Sequence, residues 1–205
     1  MEEPSIMVQR IIVTLVALFL LAVGVSADTW HADAAHSSVN FTVTHMVIST
    51  VNGKFDSFEG TLDWDGNDVT TGIVEFTIQT SSVDTDNEKR DGHLSSPDFF
   101  DVAQYPTITF KSTKVIPGDG KNFQLVGDMT MHGVTKPVTF DCTYNGSIPF
   151  MKTVKAGFSA KATINRKDFG VSWSRALDGG GLVVSDEVEI DLALEFNKEV
   201  PDSEG

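Results

Sequence analysis

Apolar and polar side chains alternate along the segment Phe158-Ser159-Ala160-Lys161-Ala162-Thr163-Ile164-Asn165. A period of two is the pattern of a β-strand with one buried face, because successive side chains of a strand point to opposite sides of the sheet. Half of the apolar positions are alanines. Small side chains on a buried face leave space unfilled unless a bulky neighbour reaches across. The segment therefore predicts a strand in the wall of a barrel whose interior is apolar and partly empty.

The same alternation recurs through most of the chain. Its apolar tracks run from Val39 to Val43, from Phe58 to Trp64, from Val74 to Ile78, from Ile108 to Phe110, from Phe123 to Met131, from Val138 to Tyr144 and from Val188 to Phe196. With a short strand over residues 49–55, these tracks give about nine strands. Turn signals lie between them, at residues 65–67, 117–120, 132–133 and 145–146. The spacing predicts antiparallel strands joined by hairpins, in a meander barrel or a sandwich, and the length of the tracks favours the barrel.

One stretch between the strands has helical signals instead. Thr85 and Glu88 have the spacing of a capping box, which predicts a short helix ending near residue 94. The pair Ser96-Pro97 then predicts a second short turn that carries Phe99-Phe100. Two adjacent aromatic residues on a connecting helix suit a lid over the mouth of a barrel. They suit a role in completing the core at that end equally well.

The N-terminal residues have the pattern of a secretory signal peptide. Arg10 precedes an uncharged apolar run from Ile11 to Val25, and the small residues Ser26 and Ala27 follow it. The run is shorter than the ~20 residues that a helix needs to cross a bilayer. Cleavage after this segment is therefore expected, and an uncleaved membrane anchor is the alternative.

This pattern divides the chain into three parts. We expect a signal peptide over residues 1–27, a single β-barrel domain over 28–197 and a polar C-terminal tail over 198–205. The start of translation at Met1 or Met7 stays open. After cleavage the protein would be periplasmic or secreted, without stable insertion into a membrane.

The charge of the chain limits its partners. It carries 29 acidic and 15 basic residues, a net charge of −14. Such a surface repels the phosphate backbone of nucleic acids, so no nucleic-acid partner is predicted. It also disfavours docking on anionic lipid surfaces.

Residues with catalytic or metal-binding chemistry form no standard pattern. His31 and His36, with Asp28 and Asp33, are the densest group, but their spacing matches no known ligand set, so no metal is predicted. Neither a Gly-x-Ser-x-Gly elbow nor a phosphate-binding glycine loop is present. The single cysteine, Cys142, lies on an apolar track and is expected to be a small buried residue rather than a nucleophile. No catalytic residue is therefore predicted.

His45 is the most informative histidine. It continues the inward track that begins at Val39, which places it at a polar end of the interior. There it could hydrogen-bond the head group of a ligand. The alternative is a core histidine whose ring is satisfied by the backbone.

Several motifs together resemble a known family. They lie at residues 35–41, 87–101, 105–112, 132–138, 164–170 and 181–189. In this order and spacing they resemble the YceI-like lipid-binding family, over essentially all of residues 28–197. The resemblance implies a lipocalin-like, extended antiparallel β-barrel of about eight strands, with one short helical insertion. It also implies a secreted or periplasmic protein that holds a long isoprenoid or similar amphiphile, and it implies no catalytic set.

Together these observations predict a lipid-binding protein, not an enzyme, that transports, stores or sequesters an apolar ligand such as a polyprenyl chain, an isoprenoid quinone or a fatty-acid derivative. No cofactor other than this bound lipid is expected. The predicted lining and mouth residues are Phe41, Val43, His45, Phe76, Ile78, Phe99, Phe100, Phe110, Met129, Phe140, Phe158, Ala160, Ile190 and Leu192. An enzyme that acts on an isoprenoid lipid through His45, and a structural module with a filled core, are the alternatives. Apolar mouths would also suit a homodimer.

Overall fold

Extended chain makes up most of the computed structural model, which describes residues 27–176, 180 and 182–200. Its strands are β1 (Asp28–Ala32), β2 (Ser38–His45), β3 (Ser49–Phe55), β4 (Phe58–Trp64), β5 (Ile73–Gln79), β6 (Val83–Asp84), β7 (Thr107–Pro117), β8 (Asn122–Met131), β9 (Val134–Phe150), β10 (Thr153–Asn165) and β11 (Val184–Glu199). The helix α1 spans Glu88–Leu94, and short 3-10 turns cover Ala34–His36, Val69–Thr71, Thr80–Ser82 and Arg166–Phe169. The predicted all-β class and the short helical insertion are confirmed. The predicted signal peptide, apart from Ala27, and the last five residues of the predicted tail lie outside the described residues.

The strands form one antiparallel sheet that closes on itself. The ring runs β1–β4–β5–β7–β8–β9–β10–β11 and returns to β1 through the pairs His31–Asn197 and Ala32–Phe196. When the two parts of each broken strand are counted as one strand, strands that follow one another in the chain are neighbours in the ring. This is the meander predicted from the hairpin spacing. The predicted barrel of about eight strands is confirmed.

Three of the barrel strands are broken near their middle. β1 and β2 form the first, because both pair with β11 and a 3-10 turn separates them. β3 and β4 form the second, since β3 pairs with β2 while β4 pairs with β1. β5 and β6 form the third, since β5 pairs with β4 while β6 pairs with β3. The breaks explain why the alternation predicts about nine tracks for a barrel of eight strands.

Aromatic side chains close the end of the barrel that carries the β9–β10 turn, which we call the lower end. Trp30 and Trp64 are each 1% exposed, and their ring centroids lie 5.4 Å apart. Both indole N–H groups are satisfied, because Trp30 donates to the carbonyl of Trp64, and Trp64 donates to the carbonyl of Asp68. Tyr144 and Phe158 pack edge-on against Trp64. The opposite end, which carries the β2–β3 turn, is the upper end.

Inward glycines lie beneath aromatic rings of the neighbouring strand. A Cβ atom added to Gly53 would lie 2.2 Å from the Phe41 ring, and one added to Gly60 would lie 2.3 Å from the Phe76 ring. In each case the glycine and the phenylalanine are paired across two strands. A bulky neighbour therefore reaches across each glycine, and its ring lies along the barrel wall instead of pointing at the axis.

Two local predictions were wrong. The N-cap of α1 is Asn87, whose side-chain oxygen accepts a hydrogen bond from Arg90 N, and not Thr85. The predicted turn at Asn145-Gly146 lies inside β9, which continues to residue 150. A register shift between β9 and β10 follows the pair Gly146–Gly157, so a β-bulge accommodates the extra residue where a turn was expected.

Candidate functional site

The barrel encloses a cavity of about 350 Å³ in its upper half. Side chains from β2, β3, β5, β7, β8, β9, β10 and β11 form its wall, and α1 with the turn after it lies over its upper end. This volume lies in the range of pockets that bind small molecules, ≈300–1,000 Å³. The interior is therefore hollow, in contrast to the filled-core alternative.

Most of the residues predicted to line the interior lie on the wall of this cavity. They are Phe41, Val43, His45, Phe76, Ile78, Phe99, Phe100, Phe110, Met129, Phe140, Ala160, Ile190 and Leu192. Each of the eight barrel strands contributes to the wall, but β1 and β4, the lower parts of two broken strands, contribute none of its residues. The structure thus brings residues that are far apart in the sequence onto one apolar surface.

Phe158 lies lower in the barrel. Its ring packs with the aromatic residues that close the lower end, and its centroid lies 5.3 Å from that of Tyr144 and 6.0 Å from that of Phe196. There it lines a second, smaller pocket of about 60 Å³. Ala160 lines both pockets, so a small side chain stands at the level where the two meet.

Phe99 and Phe100 close the upper end and also line the cavity. Phe99 is buried, and its ring lies 5.3 Å from Trp173 and 4.9 Å from His93. Phe100 is half-buried and packs edge-on against Phe55. The two alternatives, a lid and a completion of the core, therefore describe the same position in the fold.

The mouth of the cavity carries a hydrogen-bonded arginine. Arg90 is exposed, and it donates through Nε to the hydroxyl of Thr85 at 2.7 Å and through Nη2 to the Thr85 carbonyl at 2.6 Å. The Thr85 hydroxyl in turn donates to Asp91 Oδ1. Within the part of the chain that the structure describes, Arg90 forms no salt bridge. Its guanidinium is thus held in place with donor capacity left over.

Arg166 is a second arginine on the wall, and it is buried. It donates to the carbonyls of Ser185 and Val171 and contacts Asp186 at 3.2 Å. Burial lowers the pKa of its guanidinium, and the charge of Asp186 opposes that shift. Arg166 therefore fixes the start of β11 and the segment after β10. Its ion-pair partner is therefore Asp186, at the start of β11, and not Asp168, its neighbour in the sequence.

His45 lies at the upper end of the wall, half-buried. Among the described residues its ring has no hydrogen-bond or ion-pair partner, which differs from a core histidine satisfied by the backbone. It also lacks a carboxylate that would orient it as an acid or base. His45 is therefore available to a ligand, but it is not arranged like a catalytic histidine.

Several residues of the mouth were not predicted from the sequence, among them Thr85, Arg90, Arg166 and Trp173. Arg90 and Arg166 lie inside the motifs that resemble the family. The motifs thus indicated these positions, but not what the two arginines contact. Trp173 gives no periodic signal because it follows the last 3-10 turn. Its place depends on the path of the chain between β10 and β11.

The cavity lining differs in charge from the rest of the molecule. Of the described residues that line it, none is an aspartate or glutamate, although the chain has 29 acidic residues. The polar residues on the wall include Asn40, His45, Thr85, Arg90, His93, Thr109 and Arg166. The lining therefore combines an apolar surface with groups that mostly donate hydrogen bonds.

Asp33, His36 and Glu195 lie outside the barrel and form, among the described residues, the one group able to offer three metal ligands. The hydrogen bond from His36, with a second from Asn197, holds the pKa of Asp33 well below its ordinary value. Lys155 donates to Glu195, and its Nζ lies 3.5 Å from Asp33 Oδ2. The ammonium group already balances these carboxylates, so the geometry is that of a structural ion-pair cluster.

Cys142 is buried on the inner face, as predicted. Burial raises the pKa of its thiol to about 12. At neutral pH it is therefore protonated and behaves as a small apolar side chain.

Sequence comparison connects the chain with known proteins. The model of the YceI-like domain family matches residues 30–196. A UPF0312 protein of Staphylococcus aureus strain N315 is 36% identical over 167 residues, covering 80% of this chain and 95% of the relative. The similarity thus spans the barrel from β1 to the end of β11.

Structural comparison gives the same result. The crystal structure of Burkholderia cenocepacia BcnA matches with a TM-score of 0.68 and 26% identity, covering 80% of this chain and 98% of that one. The YceI protein of Campylobacter jejuni matches with a TM-score of 0.66 and 29% identity, covering 76% and 90%. A polyisoprenoid binding domain from Saccharophagus degradans has a TM-score of 0.62 at 18% identity, covering 85% and 99%, and shares the fold. In the described part of the chain, no helix has the length and apolar character to span a bilayer.

Proposed function

We infer that this chain, which belongs to the YceI-like domain family, binds the hydrocarbon tail of an amphiphilic lipid inside its barrel. The observation that carries the proposal is the hollow apolar interior of about 350 Å³. A barrel of eight strands is about wide enough to hold one slender ligand. The proposed function is binding rather than catalysis, because the wall of this interior is predominantly apolar.

The gain from burying a tail is large enough for tight binding. Burial of one CH₂ group contributes about 0.8 kcal/mol, so a five-carbon isoprene unit gains roughly 4 kcal/mol before the cost of ordering the chain. The plug of Trp30 and Trp64 closes the lower end. A tail would therefore enter from the upper end and extend toward Ala160, which lines both pockets.

The head group would lie at the mouth. Arg90 and His45 offer donors there, and no carboxylate among the described lining residues competes for them. Donors without acceptors favour a head group that accepts hydrogen bonds, such as a carbonyl, carboxylate or phosphate oxygen. The lipid is thus proposed to combine an apolar tail with an oxygen-rich head.

An isoprenoid is the tail class that we propose. The Saccharophagus degradans domain that shares this fold is described as polyisoprenoid binding, which supports the choice. The signal peptide predicted over residues 1–27 supports a periplasmic or secreted carrier or scavenger. Transport, storage and sequestration all fit such a protein.

Organic extraction of the purified protein, followed by mass spectrometry, tests the proposal. We expect about one equivalent of a single lipid class per chain, because one cavity of this size holds one slender tail. A parallel extraction of a similarly purified protein with a filled core controls for lipid carried over from the cells. Recovery of only trace, mixed lipid from protein whose cavity also fails to take up added isoprenoid would contradict the proposal.

A further inference from the structure

The part of the β2–β3 hairpin nearest its turn has no Asp, Glu, Lys or Arg, and the first charged residue of β3 is Lys54, near the end of that strand. Residues 37–53 contain no Asp, Glu, Lys or Arg, although 21% of the chain is charged. Its outward side chains are neutral and polar, among them Thr42 and Asn52, which hydrogen-bond each other at 3.0 Å. This part of the barrel could approach an apolar or neutral surface without removing a charge from water.

The tip of this hairpin, defined as Met46, Val47 and Ile48, exposes consecutive apolar side chains. Met46 is 41% exposed, Val47 65% and Ile48 87%. Exposed apolar side chains are common singly, but a contiguous group at the end of a hairpin marks a contact site. The tip has no packing role within the described fold that would account for it.

The backbone of the tip is also unfavourable for these residues. Met46 and Val47 have φ of 51° and 65°, and Ile48 N donates to His45 O across the turn at 3.2 Å. Turns with two positive φ values prefer Asn-Gly, and a β-branched residue there is an outlier. The His132-Gly133 turn of the same protein places a glycine at the corresponding second position. Strain of this kind persists where function requires the side chains.

The tip is continuous with the mouth of the cavity. Met46 N donates to Val183 O at 2.9 Å, and His45 is paired with Val184. His45, Val183 and Val184 all line the cavity. The exposed tip therefore borders the mouth of the cavity, and a path for an apolar ligand from the tip to the interior would run past Val183 and Val184.

We propose that the tip docks on the surface of a bilayer of zwitterionic lipids and that the cargo passes along this path between bilayer and cavity. The proposal rests on the proposed lipid-binding function. A net charge of −14 and the absence of Lys and Arg from residues 37–53 give no attraction to anionic lipid, so the neutral surface is the matching partner. Insertion of the tip would relieve the exposure of its apolar side chains.

The test measures transfer and docking separately. The probe is an NBD-labelled farnesol, transferred to the protein from phosphatidylcholine vesicles that contain a quencher. We expect Val47→Ser/Ile48→Ser to slow transfer about tenfold, because the variant loses part of the free energy gained when two apolar side chains are buried in the bilayer. Binding of the same probe in buffer without vesicles should be unchanged. Replacing part of the phosphatidylcholine by phosphatidylglycerol should weaken flotation of the wild-type protein with vesicles.

Two further variants separate docking from folding and from general hydrophobicity. Ile148→Ser/Met151→Ser removes side chains that are 62% and 90% exposed at the lower end, where the β9–β10 turn presents a comparable apolar group. Because Trp30 and Trp64 close the barrel between that turn and the cavity, transfer should stay within about twofold of wild type. Met46→Asn/Val47→Gly gives the turn its preferred residues, so it should raise the melting temperature while it slows transfer. This variant cannot lose transfer through unfolding.

The outcomes distinguish the two proposals. Equal transfer and equal flotation in wild type and tip variant, or equal slowing by the lower-end variant, would overturn docking. A dimer that dissociates in the tip variant would also overturn it, because a second copy would then be the occupant. If the wild type does not bind the probe in buffer, the lipid-binding function fails, while flotation of the protein, which needs no cargo, still decides docking.

Discussion

Single side chains set the free volume of the barrel. Phe41, Phe76 and Phe110 each lie over a glycine of the neighbouring strand, where a Cβ atom would come within 2.2 to 2.4 Å of the ring. With the rings held along the wall, space remains at the axis. The small side chain of Ala160 leaves the lower end of that space open, where a larger residue would fill it. The cavity therefore depends on small residues in two ways, as platforms for rings and as gaps.

Ala160→Phe tests the second role. The added ring would fill the level where the upper and lower pockets meet, so tail binding should weaken strongly while the barrel still folds, because the ring enters existing space. Native mass spectrometry measures the bound lipid, and a melting curve measures folding. Thr163→Phe places the same ring on the outer face of β10 and serves as control. Equal lipid content in Ala160→Phe and wild type would contradict the assigned position of the tail.

Asp33 links the stability of the barrel to acid pH. The hydrogen bonds from His36 and then Asn197 keep its pKa in the folded state below the ordinary value of 3.8. A lowered pKa contributes stability that is present above this value and is lost as the pH falls below it. Asp33→Asn should therefore lower the free energy of unfolding by about 1 kcal/mol at pH 7.

The difference between Asp33→Asn and wild type should shrink as the pH falls below 3.8, because the Asp33 carboxyl of the unfolded chain then binds a proton more readily than that of the folded protein. Urea unfolding at several pH values measures this. Asp119→Asn, in the exposed β7–β8 turn, is the control for the removal of one carboxylate from the surface. A constant difference between Asp33→Asn and wild type from pH 7 to pH 2 would show that the charge of Asp33 does not stabilise the fold.

At the scale of elements, regular alternation was the most predictable feature. The tracks of β7 to β11 could be read directly because each strand has one face toward the cavity and one toward water. The breaks between β1 and β2 and between β3 and β4 were less visible, since two short alternating segments look the same whether or not they belong to one strand. β1 and β2 both pair with β11, and β3 and β4 pair with β2 and β1, respectively. These pairings join residues that are far apart in the sequence.

Local turn chemistry was less reliable than alternation. Asn145-Gly146 is a strong hairpin signal, yet it lies within β9 because tertiary pairing with β10 extends beyond it. Asn87 rather than Thr85 caps α1, since Thr85 is buried and bonded to Arg90. The apolar lining and His45 could thus be predicted from the alternation. Thr85, Arg90 and Arg166 could not, because they lie in α1 and in turns outside the alternating strands.

At the scale of the whole molecule, charge and apolarity are separated. The acidic residues lie mainly on the outer surface, and the described cavity lining has none. Several lysines on that surface already face carboxylates, as in Lys111–Glu75 and Lys161–Asp191. With 29 acidic against 15 basic residues, the remaining carboxylates repel one another.

Salt should therefore stabilise the protein. The exposed ion pairs contribute little, about 0–1 kcal/mol each. The stability lost when salt screens them is therefore smaller than the stability gained when salt screens the net repulsion. Because the Debye length falls from ≈30 Å at 0.01 M to ≈10 Å at 0.1 M salt, most of the effect should appear in this range. We expect the melting temperature to rise with sodium chloride across it.

Glu187→Gln/Glu189→Gln identifies the cause. Both carboxylates lie on the outer face of β11 and, among the described residues, have no salt-bridge partner. Their removal should raise the melting temperature at low salt and flatten its dependence on salt, because fewer like charges are left to screen. Lys111→Gln, which removes one paired cation, should have the opposite effect on the slope. A melting temperature that falls with salt in the wild type would mean that the surface ion pairs outweigh the net charge in stabilising this barrel.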